Sequence, residues 1–275
     1  MCEECGCSVT PGLIRVIGKN GSISEKPSVG ASVDVLRNIL HENDHEAAHN
    51  RQHLERRGIL AINLMSSPGS GKTSLLEATI DAVGERFRIA VIEGDLETEN
   101  DAKRIRAKGV PAVQITTGQT CHLDAHMVHD ALHALDLTTV DILFIENVGN
   151  LVCPANFDLG QHANVTLLAV TEGDDKPAKY PVMFRASDLI LLSKSDLLDV
   201  LDDFSTDAAV GHIRALANSA DVFEVSARRA ESLAPWIAWL EREFEGVRNV
   251  AASRIATVHD GAHHHHHHHP VPGRR

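Results

Sequence analysis

Residues 62–73 read INLMSSPGSGKT, an apolar run followed by a glycine-rich segment that ends in Lys72 and Thr73. The segment fits the phosphate-binding pattern G-x-x-x-x-G-K-[ST], with Ser66 in the place of the first glycine. Two glycines let the backbone curl so that its N–H groups converge on phosphate oxygens, and the helix that follows adds the positive end of its dipole. Lys72 can reach the β- and γ-phosphates, and Thr73 can bind Mg²⁺. The predicted phosphate contacts are Gly69, Ser70, Gly71, Lys72, Thr73 and Ser74.

On both sides of this loop, apolar runs alternate with amphipathic segments. The predicted strands are 59–65, 88–92, 112–115, 141–145, 165–170, 189–192 and 222–225. The predicted helices of the same part are 74–83, 100–108, 123–135, 206–218 and 232–244. This alternation predicts an α/β fold with a mainly parallel sheet and helices on both faces. Such sheets bind ligands at the carboxyl ends of their strands.

A base-recognition motif follows the predicted strand 189–192. It is Ser193-Lys194-Ser195-Asp196, which is similar to the guanine-reading N-K-x-D motif with Ser in place of Asn. A carboxylate at 196 can accept both N–H groups of guanine, and the stem of Lys194 can lie on the ring. Ser226 and Ala227 follow the next strand and predict a loop whose backbone N–H meets the guanine carbonyl. In isolation, Ser195 or Asp196 could instead cap a helix.

Acidic residues follow two other predicted strands. Glu93-Gly94-Asp95 comes after 88–92, and Glu146 comes after 141–145. Because these strand ends lie on the phosphate side of the sheet, we expect Asp95 near Mg²⁺ or the attacking water and Glu146 linked to Mg²⁺. Lys72, Thr73, Asp95 and Glu146 are therefore the predicted catalytic set. Either acid could also be an ordinary solvated side chain.

Cysteines form two candidate metal sites. Cys2, Cys5 and Cys7 lie within the first seven residues, and such closely spaced thiolates suit Ni²⁺ or Zn²⁺. A redox pair or inert surface thiols are the alternatives for this segment.

The second candidate site consists of Cys121, His122 and Cys153, which follow strands at the same edge of the predicted sheet. The three could converge on one ion, and a symmetric dimer would double the ligand set. Separate buried thiols and a helix-capping histidine are the alternative.

Two histidine stripes have helical spacing. One is His41, His45, His49 and His53, and the other is His122, His126, His129 and His133. Residues four apart lie on one face of a helix. Solvated helix faces and accessory nickel or zinc storage are the two interpretations.

Composition limits the partners. The chain has 275 residues with 38 acidic and 26 basic side chains, a formal net charge of −12. That acidity disfavours nucleic acid as a partner. No run approaches the roughly 18 apolar residues of a membrane span, and no secretory signal is visible, so we expect no membrane and a cytoplasmic location.

The same patterns divide the chain into four segments. Residues 1–31 are predicted to be a flexible tail carrying the Cys motif, and residues 32–57 a helix. Residues 58–250 are predicted to be a GTPase domain with an embedded metal site, and residues 251–275 a disordered His-rich tail. Seven consecutive histidines, 263–269, are either a purification tag or a native metal-buffering segment.

Taken together, the motifs resemble the HypB family of hydrogenase nickel-incorporation GTPases, SIMIBI-like P-loop proteins related to the urease accessory GTPase. The resemblance covers about residues 32–246 and the extreme N-terminus, and it rests on Cys2-x-x-Cys5-Gly6-Cys7, residues 66–73, Glu93-Gly94-Asp95, residues 121–125, residues 146–154 and residues 193–196.

The resemblance implies that the chain hydrolyses GTP to GDP slowly and delivers nickel to the large subunit of [NiFe] hydrogenase. It also implies a GTP-promoted homodimer and a small zinc-containing accessory protein as partner. Family knowledge assigns high-affinity nickel to Cys2, Cys5 and Cys7, and nickel or zinc to Cys121, His122 and Cys153. The implied cofactors are GTP/GDP, Mg²⁺, Ni²⁺ and Zn²⁺.

Two other functions fit part of the sequence. A nickel or zinc storage protein would use the Cys and His tracts and keep the nucleotide site for regulation. A urease-directed accessory GTPase would share the phosphate loop, although Cys2–Cys7 and the Cys121-His122 pair fit that group less well.

Overall fold

A computed structural model of the protein describes residues 13–17, 23–27, 31–95, 100–118 and 120–260. Its strands are β1 (Leu13–Ile17), β2 (Ile23–Pro27), β3 (Leu60–Ser66), β4 (Ile89–Asp95), β5 (Ala112–Thr116), β6 (Ile142–Glu146), β7 (Ala163–Ala169), β8 (Leu189–Ser193) and β9 (Asp221–Glu224). The last seven form one parallel sheet in the order β5-β4-β6-β3-β7-β8-β9. The predicted parallel α/β fold is therefore confirmed.

Helices cover both faces of this sheet. They are α1 (Ala31–Glu55), α2 (Lys72–Val83), α3 (Asn100–Ala107), α4 (Ala125–His133), α5 (Lys176–Lys179), α6 (Pro181–Arg185), α7 (Thr206–Ala215) and α8 (Ala234–Asp260). Side chains alternate between the faces of a strand, so Leu60, Ile62 and Leu64 of β3 pack under α2, α3 and α8. Ala61 and Met65 point to the other face, where α1, α4, α6 and α7 lie.

The strand order puts β3 in the middle of the sheet. The loop that follows β3 therefore lies between two groups of strand ends. β6, β4 and β5 continue on one side, and β7, β8 and β9 on the other. This arrangement separates the candidate metal residues from the candidate base-binding residues.

Helix α8 is attached to α2 through a tryptophan. Trp236 is fully buried, and its Nε1 donates a hydrogen bond to Thr79 Oγ1 at 2.9 Å. Its ring stacks on Trp239 with a centroid distance of 5.6 Å. A buried indole N–H that has a partner avoids the cost of an unpaired donor, so this contact fixes α8 against the helix that begins at the phosphate loop.

Helix α1 is held against α4 by two buried asparagines. Asn43 donates to Asp158 O at 2.8 Å and accepts from Ala125 N at 2.9 Å. Asn50 donates to Ala125 O, also at 2.8 Å. Because Ala125 is the first residue of α4, these bonds fix where that helix begins relative to α1.

Two of the predicted segment boundaries differ from the structure. Residues 1–31 are not all without regular structure, because β1 and β2 pair antiparallel, with Leu13 opposite Pro27. Strands of five residues are too short for a clear hydrophobic period, and Gly, Ser and Pro nearby mask them. The C-terminal tail does not begin at 251, because α8 continues to Asp260 through alanines that favour a helix. The predicted helix 32–57 agrees with α1 within two residues.

Some predictions lie outside the described residues. They concern Cys2, Cys5, Cys7 and the histidines 263–269. In the part of the chain that the structure covers, no helix is both long and apolar enough to cross a membrane.

Candidate functional site

The loop between β3 and α2 has the backbone that phosphate binding needs. Gly69 has φ of +75° and Gly71 has φ of +94°. A Cβ on either residue would meet nothing within 4 Å, so there is room for a side chain. Glycine is favoured at both positions because the backbone is left-handed there. Ser66 is the last residue of β3 and has no positive φ. A side chain is therefore tolerated there in place of the usual glycine.

The side chains of the loop are tied to one another and to β8. Lys72 Nζ donates to Ser66 Oγ at 2.9 Å. Ser70 donates to Glu172 Oε1 at 2.5 Å, and its carbonyl accepts from Ser193 Oγ at 2.7 Å. The serine that replaces the expected asparagine at 193 thus links the base-side strand to the phosphate loop. Glu172 also binds Ser67; it follows β7 and was not anticipated from the sequence.

Buried carboxylates lie next to Thr73. Its Oγ1 donates to Glu146 Oε1 at 2.8 Å. One oxygen each of Glu93, Asp101 and Glu146 lie within 4.8 Å of one another. Glu93 and Glu146 are 2% and 3% exposed, and Oε2 of each has no hydrogen-bond partner in the described part of the chain. Unpartnered buried carboxylate oxygens beside a hydroxyl fit a hard cation such as Mg²⁺.

Nearby positive charge compensates the buried carboxylates only in part. Burial, with the neighbouring Glu146 next in size, raises the pKa of Glu93 to about 9. Burial also raises the pKa of Glu146, although Lys72 and the Thr73 hydroxyl oppose the rise. A divalent cation would favour the ionised form of both carboxyls.

Asp95 lines the same cavity of about 390 Å³ as Thr73 and Glu146, at the end of β4. The sequence analysis placed Glu93 among the acidic residues after this strand but chose Asp95 and Glu146, and it did not single out Asp101, which lies in the same acidic group. A charged residue at 93 inside an apolar strand is the signal that was available. Its pairing with Glu146 follows from the register of β4 and β6, which the sequence does not give.

All four predicted base-binding residues line one cavity of about 570 Å³ beside the phosphate loop; they are Lys194, Asp196, Ser226 and Ala227. Asp196 Oδ1 accepts from Ser226 Oγ at 2.6 Å. That hydrogen bond is the main cause that lowers the pKa of Asp196, so its carboxylate is ionised at neutral pH. The short 3-10 turn Ser195–Val200 has no side-chain cap, so the capping interpretation of Ser195 and Asp196 is wrong.

Cys121, His122 and Cys153 come together. Their Sγ and ring-nitrogen atoms lie within 4.8 Å of one another. The two sulfurs are 3.1 Å apart, and Cys121 Sγ is 4.0 Å from His122 Nδ1. The alternative of separate thiols and a capping histidine does not describe this cluster. Metal binding by the three residues stays a prediction.

His122 has the environment of a neutral ligand. It is 2% exposed, and its ring stacks on Phe157 with a centroid distance of 3.9 Å. Burial lowers its pKa, with a smaller opposing effect of Asp124. A neutral imidazole is the form that binds a metal.

The segment after β6 contacts both sites. Asn147 Oδ1 accepts from Leu123 N at 3.2 Å, and Asn150 Nδ2 donates to Cys121 O at 3.4 Å. Gly149 lies so close to the phosphate loop that a Cβ would be 2.9 Å from Pro68 Cα. The segment 146–153 therefore joins the phosphate cavity to the thiol–imidazole cluster.

Comparison with known proteins gives consistent matches. The family model for the CobW/HypB/UreG nucleotide-binding domain matches residues 60–224. The chain is 56% identical over 209 residues to the hydrogenase maturation factor HypB of Azotobacter vinelandii, covering 76% of this chain and 69% of that protein. It is 46% identical over 226 residues to HypB of Escherichia coli strain K12, covering 82% and 78%.

A solved structure is also similar. It is the crystal structure of HypB from Helicobacter pylori in complex with nickel, with a TM-score of 0.72 and 42% sequence identity. The match covers 74% of this chain and 96% of that one. The similarity includes the fold from which both cavities are built.

Proposed function

Since this chain belongs to the CobW/HypB/UreG family, and within it to the HypB hydrogenase maturation factors, we propose that it is a GTP-hydrolysing nickel carrier for [NiFe]-hydrogenase maturation. The proposal is supported mainly by the position of the segment 146–153, which contributes to both candidate sites. It contributes Glu146 and Gly149 to the phosphate cavity and Cys153 to the thiol–imidazole cluster. A change in this segment on nucleotide binding would alter both sites.

Hydrolysis would be the work of the phosphate loop and the buried acids. Lys72 neutralises phosphate charge, and the loop N–H groups hold the phosphate oxygens. Thr73, Glu146 and Glu93 would hold Mg²⁺, which withdraws charge from the phosphates when bound. Asp95, at the edge of the cavity, would orient the attacking water.

We expect the Asp196→Asn variant to lose its preference for GTP over ATP by about 10- to 100-fold, because charge-assisted hydrogen bonds contribute about 1.5–3 kcal/mol. Asparagine would also turn a donor towards a guanine N–H. Competition binding with GTP and ATP measures the ratio of the two affinities. Asp199→Asn is the matched control, because Asp199 lies on the same turn with its side chain 82% exposed. An unchanged ratio in Asp196→Asn would remove base recognition from this residue.

Nickel would bind at Cys121, His122 and Cys153. Two thiolates and a neutral imidazole suit this ion, and three ligands leave a position for a partner's group or water. A GTP-promoted homodimer would set two such clusters against each other. The N-terminal Cys2, Cys5 and Cys7 would form the high-affinity nickel site. The acceptor would be the hydrogenase large-subunit precursor, and a small zinc-containing protein would assist in the cytoplasm.

The experiment that tests the coupling measures nickel affinity with GDP and with a non-hydrolysable GTP analogue. We expect the two affinities to differ by about 5- to 150-fold, the usual range of coupling between sites. By reciprocity, nickel must change nucleotide affinity by the same factor. Equal affinities together with an unchanged oligomeric state would contradict the proposal.

A further inference from the structure

The two histidine stripes of the sequence meet in the structure. His49 of α1 faces His129 of α4 with a ring-centroid distance of 5.3 Å, and His53 faces His133 at 6.2 Å. Within α4, the rings of His129 and His133 are 4.6 Å apart. These side chains are distinct from the thiol–imidazole cluster, whose residues precede α4 or follow β6.

The hydrogen bonds around His129 determine which ring nitrogen carries the proton. Asn50 Nδ2 donates to Ala125 O at 2.8 Å and to Leu159 O at 3.3 Å, which fixes the orientation of the amide. Asn50 Oδ1 therefore faces His129 Nδ1, at 3.1 Å. A carboxylate oxygen of Glu46 lies 2.9 Å from the same nitrogen. Because both oxygens can only accept, Nδ1 is the donor, and in the neutral ring Nε2 carries the lone pair.

That lone pair meets a second imidazole. His129 Nε2 and His133 Nε2 are 3.1 Å apart. Two nitrogens bound to one tetrahedral ion at about 2.0–2.1 Å lie roughly 3.3 Å from each other. The separation of the two Nε2 atoms is therefore already close to the one that binding to a shared ion requires. His49 lies on the Glu46 side of His129: a nitrogen of His49, a nitrogen of His129 and an oxygen of Glu46 lie within 4.8 Å of one another.

We propose that α1 and α4 form a second metal site, in which His129 and His133 bind a divalent transition-metal ion through their Nε2 atoms and His49 lies beside the pair. Glu46 and Asn50 are positioning residues that hold His129 in the tautomer with a free Nε2, the usual role of partners behind a histidine ligand. Imidazole ligands suit both Zn²⁺ and Ni²⁺, and water completes the coordination.

The test measures each histidine separately, because other cysteines and histidines of the full chain are also candidate metal ligands. The full-length protein is treated with diethylpyrocarbonate in four separate reactions, one without metal and one each with Zn²⁺, Ni²⁺ or Mg²⁺. The modification rate of each histidine is measured by mass spectrometry. We expect Zn²⁺, Ni²⁺ or both to slow modification of His129 and His133 at least about tenfold, since a bound metal occupies the reactive lone pair. The ion that protects these two histidines from modification is the one that binds at the site. Equal rates with and without Zn²⁺ and Ni²⁺, or equal protection by Mg²⁺, would overturn the proposal.

Three variants locate the site. In His133→Ala, protection of His129 should be lost, and the exposed position of His133 makes this change safe for the fold. His41→Ala is the matched control on α1 and should keep the protection. Glu46→Gln should raise the metal concentration for half-protection by about 10- to 100-fold. Protection of His129 that persists in His133→Ala would overturn the assignment of the ligands.

Discussion

Nucleotide hydrolysis is expected to fall at least about 10²- to 10³-fold when Lys72 is replaced by alanine, the range seen when one preorganised donor to transition-state charge is removed. Lys72 is 8% exposed, and its ammonium group is held by Ser66 at the base of the loop. Alanine can neither reach the phosphates nor supply positive charge. Steady-state phosphate release with saturating nucleotide and Mg²⁺ measures the effect.

The same lysine also affects the buried acids. Its charge opposes the effect of burial on the pKa of Glu93 and of Glu146. In Lys72→Ala both carboxyls should therefore hold their protons more tightly, and the variant should stay folded, because protonation relieves the repulsion. Lys179→Ala is the control, since Lys179 is an exposed lysine paired with Asp175. Turnover at the wild-type rate in Lys72→Ala would contradict the phosphate site.

Cys153→Ser should weaken nickel binding at the thiol–imidazole cluster by at least about 10-fold, because loss of a ligand costs no less than loss of a group behind one. Serine is nearly the same size as cysteine, so the buried position stays filled. The measurement uses a background in which Cys2, Cys5 and Cys7 are serine, so that the N-terminal thiols do not obscure it. Nickel titration followed by sulfur-to-nickel charge-transfer absorption reports the affected site.

In the same background, His41→Ala removes an exposed imidazole of α1 and should leave this absorption unchanged. Cys153→Ser should also abolish the difference between the GDP and GTP-analogue states, since Cys153 ends the segment that begins at Glu146. Unaltered nickel affinity in Cys153→Ser would show that the two sulfurs, 3.1 Å apart, do not bind the ion together.

Features that depend on local sequence were predictable. The strand–loop–helix from β3 to α2 follows from the apolar run, the two glycines and Lys72-Thr73. The pairing of Lys194 and Asp196 with Ser226 and Ala227 in one cavity follows from their places after neighbouring strands.

Features that depend on register or helix packing were not predictable. Glu93 opposes Glu146 because β4 pairs with β6 in one particular register. His49 meets His129 because Asn43 and Asn50 fix α1 against the first residue of α4. The periodicity of each histidine stripe gave its helix face, but a single helix pattern contains no information about which helix lies opposite.

Both tryptophans of the chain lie on α8, and one of them is hydrogen-bonded to Thr79 in α2. That helix starts at Lys72, so its first turn carries Lys72 and Thr73, the proposed phosphate and Mg²⁺ contacts. Any displacement of α2 changes the surroundings of the indole. The intrinsic tryptophan fluorescence of the unlabelled protein should therefore report movement of the helix that begins at the phosphate loop.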